Sequence, residues 1–357
     1  MRTALRLLVV LVVLCVGGEV VTRALITSPS AQQFDEVLGW VYVPHACVYS
    51  SKEGGARLCF NSLGLNDDEV SDKNGRFRIL ALGDSFTEAT HVPREQNFTS
   101  LLEQFYAPRL DVINAARNGF NVIQYLARLR SYKNALDADM IMVVLSQGEL
   151  GDLRAAKNLI ISRGSNGVIT GVGLKSDRTS EIKRTLEPLL QRSALITHLM
   201  RRIKPIVTDA RDDLKALLNS SEPPSIAVNM ANKPCKNCIE TSEQAKELMG
   251  FVLAQIAKIR PLLVISIPDI TYTAGRKAEL LNGKQRAHRQ LALDAGASYV
   301  EVSTPLMAVY TTTGQPANGF NNSQKAQGHL NPAGHQAVAQ AVAHWLQKNI
   351  SGIGQKQ

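Results

Sequence analysis

Phe77-Arg78-Ile79-Leu80-Ala81-Leu82-Gly83-Asp84-Ser85-Phe86-Thr87 decides the fold. Phe77 to Leu82 is a near-continuous apolar run that stops at a glycine, the pattern of a strand buried on both faces of a sheet. Leu110 to Ile113, Met140 to Leu145, Leu262 to Ile267 and Tyr299 to Val302 repeat it. Between these runs apolar residues recur at helical spacing, in Phe98 to Tyr106, Val122 to Leu136, Ser242 to Arg260 and Lys277 to Ala295. Strand alternating with helix predicts parallel pairing through right-handed crossovers. The expected fold is α/β, a doubly wound, flavodoxin-like parallel sheet of about five strands flanked by helices.

Outward from that core the chain divides into unequal parts. Residues 75–350 carry the sheet-forming pattern, and residues 26–74 are turn-rich and read as a lead-in packed on the domain. Within the domain, strand–helix alternation lapses over about residues 153–241. Glu181 to Leu218 is polar and partly helical in pattern, followed by Ser-Ser-Glu-Pro-Pro, so this stretch reads as a helical insertion.

Residues 1–25 differ in kind. Arg2 and Arg6 precede an apolar run from Leu7 to Gly18, interrupted at Glu19 and resumed at Val20 and Val21. Positive charge ahead of such a run keeps that end cytoplasmic and places the remainder of the chain outside. No small-residue cleavage site comes cleanly after it, so the reading favours an uncleaved signal-anchor over a cleaved signal peptide. The expected location is a bacterial inner membrane, with the domain on the periplasmic or extracytoplasmic side. Secretion after cleavage is the alternative.

Export changes how the cysteines read. Cys47 and Cys59 lie in the lead-in and Cys235 and Cys238 in a Cys-x-x-Cys, all disulfide candidates in an oxidising compartment. No histidine at metal-ligand spacing accompanies either pair, and Cys235 follows Asn-Lys-Pro rather than a strand, which disfavours a zinc or redox centre. Net charge is +9, dispersed among acids, which suits an anionic glycan or lipid headgroups as well as plain solubility. Nothing in the spacing points to nucleic acid. No Gly-x-Gly-x-x-Gly follows a strand and Gly83-Asp84-Ser85 lacks the lysine of a phosphate loop, so no nucleotide, other cofactor or metal is expected.

Two segments carry candidate chemistry. Gly83-Asp84-Ser85 turns out of the first strand into a helix, whose first N–H groups would lie beside the Ser85 hydroxyl. That geometry makes a serine a nucleophile with an oxyanion donor attached. Gly328-His329-Leu330-Asn331-Pro332 precedes the amphipathic stretch Gln336 to Asn349, and Pro332 suits a helix start. His329 is then a loop histidine able to act as general base.

These segments, in this order, resemble the SGNH (GDSL-like) hydrolases, in particular exported, membrane-tethered members, over about residues 39–346. Ile79 to Thr87 looks like the family's nucleophile block. Asn114-Ala115-Ala116-Arg117-Asn118-Gly119 looks like the second block, whose glycine N–H is an oxyanion donor, here Gly119. His329 to Pro332 with Gly334-His335 looks like the histidine block. Gly39-Trp40 and Asn61-Ser62-Leu63-Gly64 are similar to what precedes the nucleophile strand in tethered members. The resemblance implies catalytic Ser85 and His329, with an oxyanion hole from Ser85, Gly119 and the third block.

The chain departs from that pattern twice. The third block reads Leu145-Ser146-Gln147-Gly148-Glu149-Leu150, so Gly148 stands where the family has an oxyanion-binding asparagine, leaving Gln147 or Ser146 as substitutes. Losing one such donor costs about 3 to 4 kcal/mol of transition-state stabilisation. Ala326 and Gln327 stand where the acid partner of the histidine belongs, and Glu149 is the candidate acid from another loop. Two functions are compatible with this pattern. One is a serine esterase or O-acyltransferase, an O-deacetylase or acetyltransferase, acting on an acylated envelope or secreted polysaccharide. The other is a catalytically degenerate relative that binds a glycan or an assembly partner in the same cleft.

Overall fold

The computed structural model describes residues 2–25, 31–50, 53–155, 159–174, 193–196, 199, 203, 241–281 and 283–353. The chain forms two compact units, residues 1–34 with 178–236, and residues 35–177 with 237–357.

The larger unit holds the expected sheet. Strands β1 (Phe77–Leu82), β2 (Leu110–Asn114), β3 (Met140–Leu145), β4 (Leu262–Ser266) and β5 (Ser298–Val300) are all parallel, in the order β5-β4-β3-β1-β2. Between and after them run α1 (Ser85–Glu88), α2 (Phe98–Tyr106), α3 (Val122–Ser131), α4 (Glu149–Ala155), α5 (Ser242–Ala257), α6 (Lys284–Asp294), α7 (Ser303–Thr313) and α8 (Pro332–Asn349).

Why β1 is apolar from Ile79 to Leu82 is clear from its two faces. Leu80 and Leu82 join Leu126 of α3 and Val252 of α5 in one core, while Ile79 and Ala81 join Leu102 of α2 and Val342 of α8 in the other. Alternate side chains of a strand point to opposite faces, and here helices cover both, so Ile79 to Leu82 are apolar, while Arg78 near the strand start is buried against the Asp111 carboxylate of β2. Ile79 to Leu82 are all 0% exposed, and each large side chain so buried contributes roughly 1.5–3 kcal/mol. Local signals fix the helix starts: Asn121 and Gln124 form a capping box on α3, and Asn331 caps α8 ahead of Pro332.

Some stretches expected to be helical are not. Lys277 to Leu280 pairs antiparallel with Ile270 to Thr273, so the helix expected from Lys277 occupies only Lys284–Asp294. The positive φ angles of Gly275 and Arg276 close the hairpin, and local turn chemistry overrides the weak helical period there. The insertion likewise opens with a hairpin, Leu159–Arg163 against Ile169–Leu174, turning near Asn166-Gly167. Apart from residues 193–196, 199 and 203, the expected helical stretch 181–218 lies outside the described residues, as do Cys235 and Cys238.

The lead-in packs on the domain through Arg117, whose guanidinium lies 3.9 Å over the Tyr42 ring and donates to the Trp40 carbonyl. Its principal element is a hairpin, Cys47–Ser50 against Ala56–Cys59, closed at its base by a Cys47–Cys59 disulfide.

Among its described residues the smaller unit contains one long apolar helix, Arg2–Leu25, with mean hydropathy 2.3 over Leu5–Thr22. At 1.5 Å per residue this helix is roughly 36 Å long, enough to cross a hydrocarbon layer of about 30 Å. Glu19 is not left bare on it: its carboxylate accepts from the Ser193 hydroxyl at 2.6 Å and from the N–H groups of Ala194 and Leu195 at 2.9 and 3.0 Å.

β2 is an edge strand, and carboxyl groups cover its outward N–H groups. Glu103 accepts from Val112 at 2.9 Å and Asp67 from Asn114 at 2.7 Å. Burial pushes the Glu103 carboxyl up to about 8 and the Asp67 carboxyl up to about 7. Both folded values exceed those of the unfolded chain, so the stability these groups contribute is lost as pH rises through them. Buried His288 and His335 are pushed down, to about 4 and about 3, and stay neutral above pH ~6.5. Thermal stability should therefore fall between pH ~6.5 and ~8.5, and Glu103→Gln, followed by differential scanning calorimetry, should shrink that fall.

Candidate active site

Ser85 opens α1 directly after β1. Gly83 is required there because a Cβ on it would sit 2.2 Å from the Thr87 hydroxyl oxygen. Asp84 caps the helix, its carboxylate accepting from the Phe86 N–H at 2.9 Å. Ser85 is the first residue of the helix, so its own N–H has no intrahelical partner and remains available to a ligand.

His329 comes from the loop before α8, and the fold brings its Nε2 to 2.7 Å from the Ser85 hydroxyl oxygen. Behind it stands a carboxylate that no sequence motif singles out. Glu53 Oε2 lies 2.7 Å from His329 Nδ1, and Glu53 Oε1 accepts from the His329 N–H at 2.8 Å. Burial alone would raise the Glu53 carboxyl, but the hydrogen bonds from the His329 ring and main chain outweigh it and hold the group below the usual glutamate range. An ionised Glu53 can only accept, so Nδ1 carries the proton and Nε2 is free to take the one on Ser85. Gly328 permits this approach: its φ is +82°, and a Cβ there would lie 2.2 Å from Glu53 Oε1.

Glu53 reaches the site because it sits in the loop of the disulfide-closed hairpin. Gly54 donates to the Asn322 side chain at 2.9 Å, and Gly55 donates to the His91 carbonyl at 3.1 Å. Glu53 is the acidic residue between Cys47 and Cys59 and is followed by Gly54-Gly55, a turn signature. That is the signal the sequence offers, far from the positions before the histidine where an acid is expected.

Two rings pack on His329. Phe86 lies at 4.8 Å between centroids, tilted by 40°, and His91 is stacked at 3.7 Å and 16°. Burial, then the His329 charge, pushes the His91 imidazole down to about 4, so it is neutral at physiological pH. Glu53, His91 and His329 bring ligand-type atoms within 4.8 Å of one another. Both ring nitrogens of His329 are already engaged, however, Nδ1 by Glu53 and Nε2 by the Ser85 hydroxyl. The donor set fits a proton relay better than a metal site.

The second block lines up beside Ser85. Arg117 N–H donates to the Gly83 carbonyl at 3.0 Å, and Glu88 accepts from Asn118 N–H at 3.0 Å while pairing with Arg117 at 3.3 Å. These contacts hold the turn that ends in Gly119, whose N–H donates to no partner among the described residues. The third block is arranged differently. Gln147 donates its amide to the Ile267 carbonyl at 2.9 Å, and the Ser146 hydroxyl bonds to the Asp84 carboxylate. Both side chains are therefore committed elsewhere and neither replaces the asparagine that Gly148 lacks.

Glu149 corrects the expected acid. It is fully buried and accepts from Val122 N–H at 2.6 Å and from the Tyr125 hydroxyl at 3.1 Å. Burial, then the Asp84 charge, raises its carboxyl well above the usual range. It ties α4 to the start of α3, while Glu53 occupies the place beside His329.

No protein-family model matches the chain, and no curated protein matches it. Among solved structures it is similar to LAE5, an alpha/beta hydrolase enzyme from the metagenome of Lake Arreo, at 15% identity and TM-score 0.38, covering 75% of this chain and 93% of that one. It is also similar to Axe2, an acetylxylan esterase from Geobacillus stearothermophilus, at 12% identity and TM-score 0.38, covering 80% of this chain and 98% of that one. Likenesses this distant carry no weight on activity.

Because Glu53 rides on the loop that the disulfide closes, replacing Cys47 and Cys59 by serine should act on catalysis as well as stability. Opening a loop of 12 residues removes about 3 kcal/mol of stabilisation. Ester hydrolysis by the full-length variant in detergent should show a lowered kcat with little change in KM. A lowered Tm with unaltered kcat would mean that Asn322 and His91 alone hold the acid.

Proposed function

We propose that this chain is an SGNH-type serine hydrolase or acyltransferase, working through Ser85, His329 and Glu53 on an ester outside the cytoplasm. The observation that carries the reading is the continuous hydrogen-bonded line from the Ser85 hydroxyl through both ring nitrogens of His329 to Glu53. Ser85 attacks the acyl carbonyl while His329 Nε2 takes its proton, and Glu53 stabilises the imidazolium that results. The N–H groups of Ser85 and Gly119 hold the oxyanion. When the tetrahedral species collapses, His329 returns the proton to the departing alcohol, leaving an acyl group on Ser85. Water then releases it as an acid, or a sugar hydroxyl accepts it.

The proposed substrate is an O-acylated, in the simplest case O-acetylated, envelope or secreted polysaccharide. Support comes from the N-terminal apolar helix, the disulfide and the dispersed positive charge. The helix is read as a retained anchor with the domain on the periplasmic side, because Glu19 within it is already engaged by the Ser193 segment of the same unit. A second reading, a glycan- or partner-binding relative with little turnover, is favoured by one observation: the missing third-block donor, with the Gln147 amide bonded to the Ile267 carbonyl and the Ser146 hydroxyl to Asp84.

A fluorophosphonate distinguishes the two. Full-length protein should be labelled at Ser85, and labelling should vanish in Ser85→Ala and slow sharply in His329→Ala. No labelling of a folded sample would favour the binding reading. Gly148→Asn should raise kcat on a small acetate ester by about ten- to a hundredfold by supplying the absent side-chain donor. Its Cβ would meet only the ends of Asp152 and Ser146, at 3.3 and 3.7 Å, so the site can accept it.

A further inference from the structure

His91 lies against the line from Ser85 through His329 to Glu53 without belonging to it. Its ring is stacked on His329 at 3.7 Å between centroids and 16° between planes, and its Nε2 lies 3.9 Å from Glu53 Oε2. That oxygen is the one that meets His329 Nδ1 at 2.7 Å. One side chain is therefore within van der Waals reach of both partners in the bond that fixes the His329 tautomer.

Local backbone geometry presents His91 there. Ala89 ends α1 with φ +54°, and the Val92 N–H donates to the Ala89 carbonyl at 3.3 Å, closing a turn on which His91 rides. Because Ser85 opens the same short helix, Ser85 and His91 are held at its two ends. The loop that carries the acid packs on the turn: the Gly55 N–H donates to the His91 carbonyl at 3.1 Å, and a Cβ on Gly54 would lie 2.0 Å from that carbonyl oxygen. Phe320 flanks the imidazole at 6.3 Å between ring centroids. The His91 side chain is 11% exposed, against 20% for Glu53 and 24% for His329, so it is the most deeply placed of the three.

Hydrogen bonding settles which nitrogen carries the proton. His91 Nδ1 is buried and has no hydrogen-bond partner among the described residues. A neutral imidazole has one N–H, and at Nδ1 it would be a buried donor with nothing to meet, so the proton belongs on Nε2, facing the Glu53 carboxylate. Burial, then the His329 charge, pushes the His91 imidazole down to about 4, so it stays neutral beside a His329 that gains a proton. No second cation then competes for Glu53 Oε2.

The stack also restricts motion. Rings 3.7 Å apart and nearly parallel are in van der Waals contact, so no water fits between them. With one face covered in this way, the His329 imidazole cannot rotate out of line with Ser85 and Glu53 without driving an edge into His91.

We infer that His91 is a positioning residue: its flat ring holds the His329 imidazole in the plane that joins Ser85 to Glu53 and keeps water from the bond between Nδ1 and the carboxylate. The inference rests on the serine chemistry proposed above and adds a residue that acts only through His329.

The test compares full-length wild type, His91→Ala and His91→Phe in detergent, by turnover of a small acetate ester and by proton NMR. A histidine Nδ1–H bonded to a carboxylate gives a far-downfield signal, assigned to His329 by its absence in His329→Ala. His91→Ala should lower kcat by about tenfold with KM little changed, and its downfield signal should broaden through exchange with water. His91→Phe restores a flat ring without a nitrogen, and should recover kcat to within about threefold of wild type with a sharp signal. A role in folding alone would lower Tm while leaving the signal and the kcat of the folded fraction unaltered, and that result overturns the inference. So does a change in kcat or in the signal without the other, or a His91→Phe variant as slow as His91→Ala, which would assign the effect to the Nε2–H instead of the ring. Should His91→Ala not fold, His91→Phe decides alone: a sharp signal with kcat near wild type supports the inference, and loss of either refutes it. Fluorophosphonate labelling separates failures. Unlabelled wild type sinks the serine chemistry, and the NMR comparison then still decides whether His91 holds His329. Labelled wild type, with kcat and signal unchanged in His91→Ala, sinks the His91 assignment alone.

Discussion

The contact between Glu53 and His329 joins the two ends of the domain, and much of the arrangement around Ser85 depends on it. One carboxylate grips both the ring and the main chain of the same histidine, so position and tautomer are fixed together. The loop that delivers it is tethered at its base by Cys47–Cys59 and at its tip by Asn322 and His91. An acid on a short, cross-linked hairpin can be as well placed as one on the histidine loop itself, provided its backbone is held. The disulfide thereby links how firmly the acid is held to the oxidation state of Cys47 and Cys59.

A second constraint lies under Ser85. Glu88, buried at the end of α1, neutralises Arg117 and caps Asn118, and Arg117 in turn reaches Gly83, Trp40 and Tyr42. Burial raises the Glu88 carboxyl, and the Arg117 charge opposes that shift. The lead-in, the Gly83–Ser85 turn and the Gly119 turn therefore share one buried ion pair. Removing either member would leave the other charged and unpartnered, which is the costly way to break such a pair. The third block has no comparable role at the reaction centre, since its side chains brace β4 and Asp84.

The sheet is legible in the sequence because strands covered on both faces are predominantly apolar, and β1 to β4 show that run even with Arg78, Asp111, Asn114 and Ser266 near their ends. Ser85 and His329 are legible as candidates because each sits at a strand-to-helix or loop-to-helix junction with its own turn residues. Glu53 is not, because it lies 276 positions from the histidine it contacts, and no local pattern encodes that proximity. Glu149 looks available for the opposite reason: it is near the sheet edge in sequence, but its carboxylate points into the helix layer. The hairpins at 159–174 and 270–280 escape a reading by periodicity because their short strands carry mixed patterns and depend on turns for their register.

A double-mutant cycle on kcat/KM with Glu53→Gln and His329→Ala tests the central claim, that Glu53 acts on the ester through His329. If the two residues work as one unit, Glu53→Gln alone should cost up to about four orders of magnitude, and adding it to His329→Ala should cost little more. Losses that simply add, or a Glu53→Gln variant with wild-type kcat/KM, would show that the acid in the hairpin is not part of the reactive line.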